Sequence, residues 1–177
     1  VMAKLRGHDE VEPPIPVQVR RLHALWCVAR REARCRGEPA GPIAAYLAPG
    51  RFVDSHHPAV QAFAHAHADA AMTPRDIGVK LYYAVRDGFR YDPYHFDMSE
   101  VGLKASQVVE SGRGFCVPKA TLLAAAARVL GVPARLGYAD VRNHLTSPRL
   151  REMMNTDVFA YHGYTELLID GRWLKAT

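Results

Sequence analysis

Residues 111–135 read SGRGFCVPKATLLAAAARVLGVPAR, and this stretch decides the fold. A glycine-rich turn leads into Cys116, and a strongly helical run over Val117–Leu130 follows and ends at Gly131. A thiol at a helix start lies beside unpaired backbone N–H groups and the positive end of the helix dipole, which both favour the thiolate. Cys116 is therefore a candidate nucleophile. The alternative is a small buried cysteine that packs under the helix.

Helices are expected before this stretch. Capping residues and helical spacing of apolar residues predict them from Pro58 to Ala71, from Pro74 to Gly88 with Thr73 as the cap, and from Lys104 to Glu110.

Strands are expected after it. Alternating, β-branched and aromatic residues predict strands over Val132–Val141 and Val158–Ile169, and Asp170-Gly171 predicts a tight hairpin into residues 172–177. Because the helices come first and an antiparallel sheet follows, the sequence predicts an α+β fold. A doubly wound fold would alternate the two kinds of element.

A histidine in the second predicted strand could serve the thiol as a base. His162 is followed by Gly163, which we expect to leave an open surface beside the imidazole. A strand histidine that points at a cysteine on a helix start supplies the nucleophile and the base of covalent catalysis. The alternative is a structural role, which is the more common one for a lone histidine in a strand.

The stretch from about Tyr82 to Thr177 contains the Gly-x-Gly-Phe-Cys turn, the run Ala126–Arg135, the pair Gly137-Tyr138, His162 four residues before Glu166, and Trp173 after the hairpin. In these features it resembles the transglutaminase-like superfamily of thiol enzymes. More narrowly, it resembles the bacterial branch usually described as putative cysteine proteases. The resemblance implies a papain-like α+β core in which a Cys, a His and an Asp act in that chain order.

The third member of that set departs from the pattern. The superfamily carries Trp-x-x-x-Asp, and the same spacing from Trp173 falls on Thr177. We therefore place Thr177 at the position that orients His162. The alternatives are Asp157, Asp170 or a residue beyond Thr177, and Asp170 is better explained by the hairpin.

Several further residues are expected near the substrate. Gln107 could help to form an oxyanion hole, or it could be an exposed helix residue. The expected substrate-binding residues are Gln107, Gly114, Phe115, Tyr138 and Gly163, with Asn143 and His144 as further cleft residues.

No metal ion or cofactor is predicted. The histidine-rich patch, which consists of His56, His57, His65 and His67, lacks the i, i+4 spacing of helical metal ligands. The glycines before Cys116 are not followed by the Lys-Ser/Thr pair of a phosphate-binding loop. No Asp-x-Asp-x-Asp-Gly calcium loop is present in the sequence.

The chain has 177 residues, a net charge of +5 and 49% hydrophobic residues, which suit a globular domain with its own core. We expect an N-terminal extension over residues 1–50, with an Arg-rich helix over residues 17–35, and a transglutaminase-like domain over residues 51–177 that lacks its natural C-terminal continuation. The Arg-rich helix could touch nucleic acid or a membrane surface, but a solvated helix face is the preferred interpretation, so neither partner is expected. The oligomeric state of the protein is left open.

Three cysteines without a CxxC pair indicate neither a disulfide framework nor a zinc ribbon. The sequence holds no apolar run long enough to span a membrane and no secretory core at its start, so a cytoplasmic location is expected.

These features predict a thiol-dependent amide-bond hydrolase, a peptidase or an amidase, with a peptide or amide substrate. The first alternative is a transglutaminase, in which an amine instead of water releases the acyl-enzyme. The second is a non-catalytic module that keeps the fold as an interaction platform. Hydrolysis is preferred because the branch that the chain resembles is bacterial and the calcium loop is missing.

Overall fold

The computed structural model describes residues 42–177, except residues 96, 143–147, 150, 151, 153, 154 and 157. The Arg-rich helix expected over residues 17–35, the cleft residues Asn143 and His144, and Asp157 lie outside the described residues. The elements in chain order are a 3-10 helix (Ile43–Tyr46), α1 (Pro58–His67), α2 (Pro74–Gly88), β1 (Arg90–Tyr91), α3 (Ala105–Ser111), β2 (Arg113–Gly114), α4 (Cys116–Val129), β3 (Ala134–Arg142), β4 (Val158–Ile169) and β5 (Arg172–Ala176). The predicted α+β order is confirmed.

Local capping explains where the first two helices begin. The Thr73 Oγ1 accepts a hydrogen bond from the Asp76 N–H over 3.2 Å, and Pro74 occupies the first helical position of α2. The His57 Nδ1 accepts from the Ala59 N–H over 3.3 Å at the start of α1. This helix ends at His67, four residues before the predicted end, because Ala68 is already extended.

The α4 helix forms the centre of the core. Its alanine-rich middle, residues 124–127, is fully buried, and the helix packs against α1, α2 and α3 and against the sheet. Small side chains along the helix let its neighbours approach closely from several sides at once. The helix that begins at Cys116 is therefore the central element of the core.

The three long strands form an antiparallel sheet in the order β3-β4-β5. The hairpin between β4 and β5 has Asp170 at φ 51° and Gly171 at φ 74°, the left-handed pair that a tight two-residue turn requires. Alternate residues of β4 from Gly163 to Ile169 are buried against the helices. The Thr165 hydroxyl on this face donates to the Ala120 carbonyl over 2.7 Å and so ties β4 to α4.

A second pairing, which the sequence pattern does not predict, joins the two-residue strands β1 and β2. They lie parallel, with Arg90 opposite Arg113 and Tyr91 opposite Gly114. The pairing places β1 beside the glycine turn that precedes Cys116. Tyr91 is thereby brought from a distant part of the chain to the start of α4.

Residues before the predicted boundary at residue 50 also contact the domain. The Tyr46 ring meets the Trp173 ring edge-on at 5.0 Å, and an Arg128 guanidinium nitrogen donates to the Ala48 carbonyl over 2.6 Å. Within the described part of the chain, no helix is both long enough and apolar enough to cross a membrane. The division into an extension and a domain stays a prediction.

Candidate active site

Cys116 is the first residue of α4, and a buried aromatic residue holds it there. Phe115, the N-cap residue, is 5% exposed and packs with Phe52 and Leu103 in a small apolar cluster that also contacts Cys116. The Phe115 ring, which the sequence predicts to bind substrate, is therefore in the interior. Its burial fixes the turn that presents the thiol.

The start of α4 is also tied to the end of α2. The Lys119 ammonium donates to the Arg86 carbonyl over 2.9 Å and to the Phe89 carbonyl over 2.7 Å. These carbonyls lie in the last turn of α2 and just beyond it, where the helix has unpaired acceptors and a partial negative charge. Lys119 thus fastens α4, one turn after Cys116, to the neighbouring helix.

Burial governs the charge state of the Cys116 thiol. Burial raises its pKa, while the backbone N–H groups of Gly163, Val117 and Cys116 itself lower it by a smaller amount. The helix start alone predicts a lowered pKa, but in the fold the cost of burying the charge exceeds the stabilisation from these donors. The donors are nonetheless in place for negative charge that develops during a reaction.

His162 is half-buried on β4 and is hydrogen-bonded to Thr177. The distance from its Nε2 to the Thr177 Oγ1 is 3.1 Å. Burial lowers the pKa of the imidazole, and the positive charge of Lys175 on β5 lowers it further. Since the pKa of Cys116 is raised and that of His162 is lowered, both shifts favour a neutral thiol and a neutral imidazole at rest.

Thr177 is held in turn by a residue of α2. The Tyr82 hydroxyl donates to the backbone carbonyl of Thr177 over 3.0 Å. The residue next to the end of β5 is therefore fixed through its backbone, while its side-chain hydroxyl stays directed at His162. Tyr82 is not among the site residues that the sequence indicates, since a helix position gives no sign of a partner so distant in the chain.

Gly163 is buried, and no open surface lies beside it. A Cβ added to Gly163 would lie 2.9 Å from the Val117 Cα and 3.0 Å from its Cγ2. The expectation of free space beside the imidazole is therefore wrong on this side of β4, because the first turn of α4 fills it. The missing side chain instead lets the backbone of β4 lie directly on α4, with the Gly163 N–H directed at the thiol.

Two contacts thus meet on consecutive residues of β4. Gly163 contacts Cys116 through its N–H, and His162 contacts Thr177 through its ring. Consecutive Cα atoms are only about 3.8 Å apart. The structure therefore places Cys116 and Thr177, two of the residues that the sequence indicates, beside neighbouring residues of β4, one of which is His162.

The other candidate residues occupy different places. Tyr138 is half-buried against the core and lies opposite Gly163 in the β3–β4 register. Gly114 and Gln107 are each partly exposed, on β2 and α3 respectively. Asp170 stays in the hairpin, with its Oδ2 3.2 Å from an Arg75 nitrogen, at the opposite end of β5 from Thr177.

Two members of the histidine-rich patch, His57 and His67, have local structural roles. His57 caps α1, as described above, and the His67 Nδ1 donates to the Phe63 carbonyl over 3.0 Å while its ring lies 4.6 Å from the Phe63 ring. Neither contact resembles metal coordination.

Tyr91 is a site residue that sequence reasoning missed. It is 49% exposed overall, yet its hydroxyl lies in crowded surroundings, where burial raises its pKa and negative charge on Cys116 raises it further. The parallel pairing with Gly114 independently places Tyr91 beside the cysteine turn. Only the pairing of β1 with β2 reveals this, since the two strands are far apart in sequence.

Arg135 and Glu166 form a buried ion pair between β3 and β4. They lie directly opposite each other on β3 and β4, and the Arg135 Nε is 2.5 Å from the Glu166 Oε2. The Arg135 guanidinium also lies 4.2 Å from the centre of the Trp173 ring. One arginine therefore joins all three strands, and it holds β4 in the register that presents His162.

Comparisons with known proteins show the family and the fold of the chain. The family model described as the transglutaminase-like superfamily matches residues 61–177. The chain is similar in structure to a putative cysteine protease from Cytophaga hutchinsonii, with a TM-score of 0.59 and 20% identity, over 82% of this chain and 44% of that chain. It also matches a putative protease from Parabacteroides distasonis ATCC 8503, with a TM-score of 0.48 and 14% identity, over 82% of this chain and 30% of that chain.

No curated protein matches the chain. The chain spans less than half the length of either solved structure, and the likeness to the Cytophaga protein shows a shared fold. The resemblance noted in the sequence is confirmed by the family match, which extends over well more than half of the residues. The chain belongs to the transglutaminase-like superfamily.

Proposed function

We propose that this chain is a thiol-dependent amide-bond hydrolase that uses Cys116 as the nucleophile, His162 as the base and Thr177 to orient His162. The observation that carries the proposal is the pair of contacts on consecutive residues of β4, one to the thiol and one to Thr177. Thr177 engages the Nε2 of His162, which leaves the Nδ1 for the thiol proton. The superfamily match supports the same assignment.

The pKa shifts of the two residues favour a general-base mechanism. With a neutral thiol and a neutral imidazole at rest, His162 takes the proton as the sulfur attacks the substrate carbonyl. The backbone N–H of Cys116 stabilises the oxygen that becomes negative in the tetrahedral intermediate. His162 then protonates the leaving amine, and water releases the acyl-enzyme with His162 again as the base.

The substrate class follows from the nucleophile and the fold. A cysteine paired with a histidine forms acyl-enzymes from amides and activated esters. The Cytophaga structure is named as a putative cysteine protease, and we extend peptide substrates to this chain on that basis. Hydrolysis is preferred to amine transfer because the branch that the sequence resembles is bacterial and because the sequence holds no Asp-x-Asp-x-Asp-Gly calcium loop.

Acyl-enzyme formation tests this proposal directly. The chain is mixed with p-nitrophenyl acetate and examined by intact mass and peptide mapping, and turnover is measured on peptide p-nitroanilides. We expect an acetyl group on Cys116 and loss of turnover in Cys116→Ala, with Cys27→Ala as the matched control. Hydrolysis by Cys116→Ala at the rate of the unaltered chain would refute the proposal.

Two further measurements separate the alternatives. His162→Ala should slow acylation of Cys116 without removing the folded circular-dichroism signal, because a half-buried position tolerates a smaller side chain. Added monodansylcadaverine should leave the hydrolytic product unchanged. Its incorporation in place of hydrolysis would assign acyl transfer to the chain instead.

A further inference from the structure

The strand that carries His162 is interrupted immediately before this residue. Ala139 pairs with His162 and Val141 pairs with Phe159, so one residue of β3 faces two residues of β4. Asp140 stands alone on β3, opposite Ala160 and Tyr161. This is a β-bulge, in which the extra residue leaves the regular hydrogen-bond ladder.

The bulge decides on which face of the sheet His162 lies. Ala139 and Val141 are two residues apart and share a face, so their partners His162 and Phe159 share that face although they are three residues apart. In an unbroken strand, Tyr161 would face with Phe159, and His162 would lie on the other side. The extra residue therefore turns the imidazole to the side where it meets Thr177.

The bulge has an unfavourable backbone conformation. Tyr161 has φ 60°, in the left-handed region that large L-residues seldom adopt. Its N–H donates to the Asp140 Oδ1 over 2.9 Å, across the two strands. Asp140 thus supplies the acceptor for an amide that the bulge removes from the ladder, and so stabilises the strained residue.

We propose that Asp140 is a positioning residue that holds Tyr161 in its left-handed conformation and thereby aims His162 at the reacting centre. The inference rests on the proposed function, because it gives the orientation of His162 a catalytic purpose. The part that matters is the acceptor oxygen on a short side chain, and the negative charge is not required. An asparagine at this position keeps that oxygen, whereas an alanine removes it.

Four variants test the proposal: Asp140→Ala, Asp140→Asn, Tyr161→Gly, and the double variant Asp140→Ala with Tyr161→Gly. We expect Asp140→Ala to lower kcat for amide hydrolysis about ten- to a hundredfold, with KM changed less than twofold, because misplacement of a catalytic group costs rate more than binding. Asp140→Asn should retain kcat within about threefold. Glycine adopts a positive φ without strain, so the double variant should recover most of the activity lost in Asp140→Ala.

A second measurement does not depend on activity. The chain is labelled with ¹³C-histidine, and the His162 resonance is assigned from its loss in His162→Ala. We expect Asp140→Ala to shift or broaden this resonance, while Asp140→Asn and the double variant keep it at its original position. If the unaltered chain lacks hydrolytic activity, the proposed function fails, and the resonance still tests the bulge.

Two results would overturn the inference. One is an unchanged His162 resonance together with unchanged kcat in Asp140→Ala. The other is an Asp140→Asn variant as impaired as Asp140→Ala, which would mean that the charge acts and not the acceptor. Urea denaturation of each variant shows whether the chain is folded, and the asparagine and double variants keep the test decisive if Asp140→Ala unfolds.

Discussion

The Oγ1 of Thr177 lies 3.1 Å from the Nε2 of His162, so the imidazole is paired with a hydroxyl. A hydroxyl can fix the orientation of an imidazole, but it compensates the positive charge of an imidazolium far less than a carboxylate does. The shift of the His162 pKa to below its ordinary value accords with a partner that carries no charge. A hydroxyl partner therefore fits a site in which the pKa shifts of Cys116 and His162 both favour the neutral forms.

We expect the Thr177 hydroxyl to contribute a modest factor to the rate. Thr177→Val keeps the shape and removes the hydrogen bond, so kcat should fall about two- to tenfold, the equivalent of about 0.5–1.5 kcal/mol. Thr177→Ser should retain most of the rate. Steady-state hydrolysis of a peptide p-nitroanilide measures both, and a Thr177→Val enzyme with full activity would exclude Thr177 as the orienting residue.

Thr177→Asp should increase the rate. A charge-assisted hydrogen bond is worth roughly 1.5–3 kcal/mol, which corresponds to about ten- to a hundredfold if it acts only when the imidazolium forms. The pKa of His162 should rise in the same variant, because an opposite charge favours the protonated ring. A slower enzyme with an unchanged His162 pKa would show that the aspartate cannot reach the ring from this strand.

Alkylation of Cys116 should show the raised thiol pKa. Below the pKa the thiolate fraction falls tenfold per pH unit, so burial makes native Cys116 react with iodoacetamide more slowly than an ordinary thiol near pH 7. In 8 M urea the alkylation rate of Cys116 should level off as the pH rises. The rate for native Cys116 should still be rising at that pH. Peptide mapping after brief labelling gives both profiles. A native profile that levels off at a lower pH than the unfolded one would establish a preformed thiolate.

The acid limb of the pH–rate profile should report His162. A general base must be unprotonated, and the pKa of His162 is lowered, so kcat/KM should fall only below pH 6.5, the ordinary value. Lys175→Met removes a nearby positive charge, so the His162 pKa and the acid limb should move to higher pH. The difference between the two enzymes should shrink at high salt, because exposed charges are screened.

Lys80→Met is the matched control for this experiment. Lys80 is an exposed lysine on α2, and its replacement changes the net charge by the same amount as Lys175→Met. The pH dependence of kcat/KM on the acid side should be the same in Lys80→Met as in the unaltered enzyme. Equal shifts in both variants would mean that net charge, and not the proximity of Lys175 to the imidazole, sets the profile.

Gly163→Ala should destabilise the chain. The added Cβ would lie 2.9 Å from the Val117 Cα, and backbone cannot yield as the end of a flexible side chain can. Overpacking of this kind costs about 1–3 kcal/mol. In Gly88→Ala, the control, the new methyl meets nothing within 4 Å, and stability should change little or increase. Urea unfolding compares the two, and equal midpoints would remove the argument for close packing of β4 on α4.

Local chemistry made most of the elements predictable. Thr73 and Pro74 mark the start of α2, and Asp170-Gly171 marks the hairpin, because in each case the residue itself prefers the backbone conformation found there. The β1–β2 pairing is different. Its strands are two residues long, and their partners are far apart in the chain, so no local pattern distinguishes them from loop.

The sequence by itself determined the order of helices and strands, the family, and the residue types at the site, because these depend on local conformational preference and on motif spacing. Only the tertiary structure decided the surroundings of those residues. The closeness of α4 to Gly163, the bulge that turns His162 and the burial that raises the pKa of Cys116 all arise from contacts between distant segments. Solvent exclusion and strand register depend on the packed chain as a whole, so burial raises the pKa of a thiol whose place at a helix start, taken alone, would lower it.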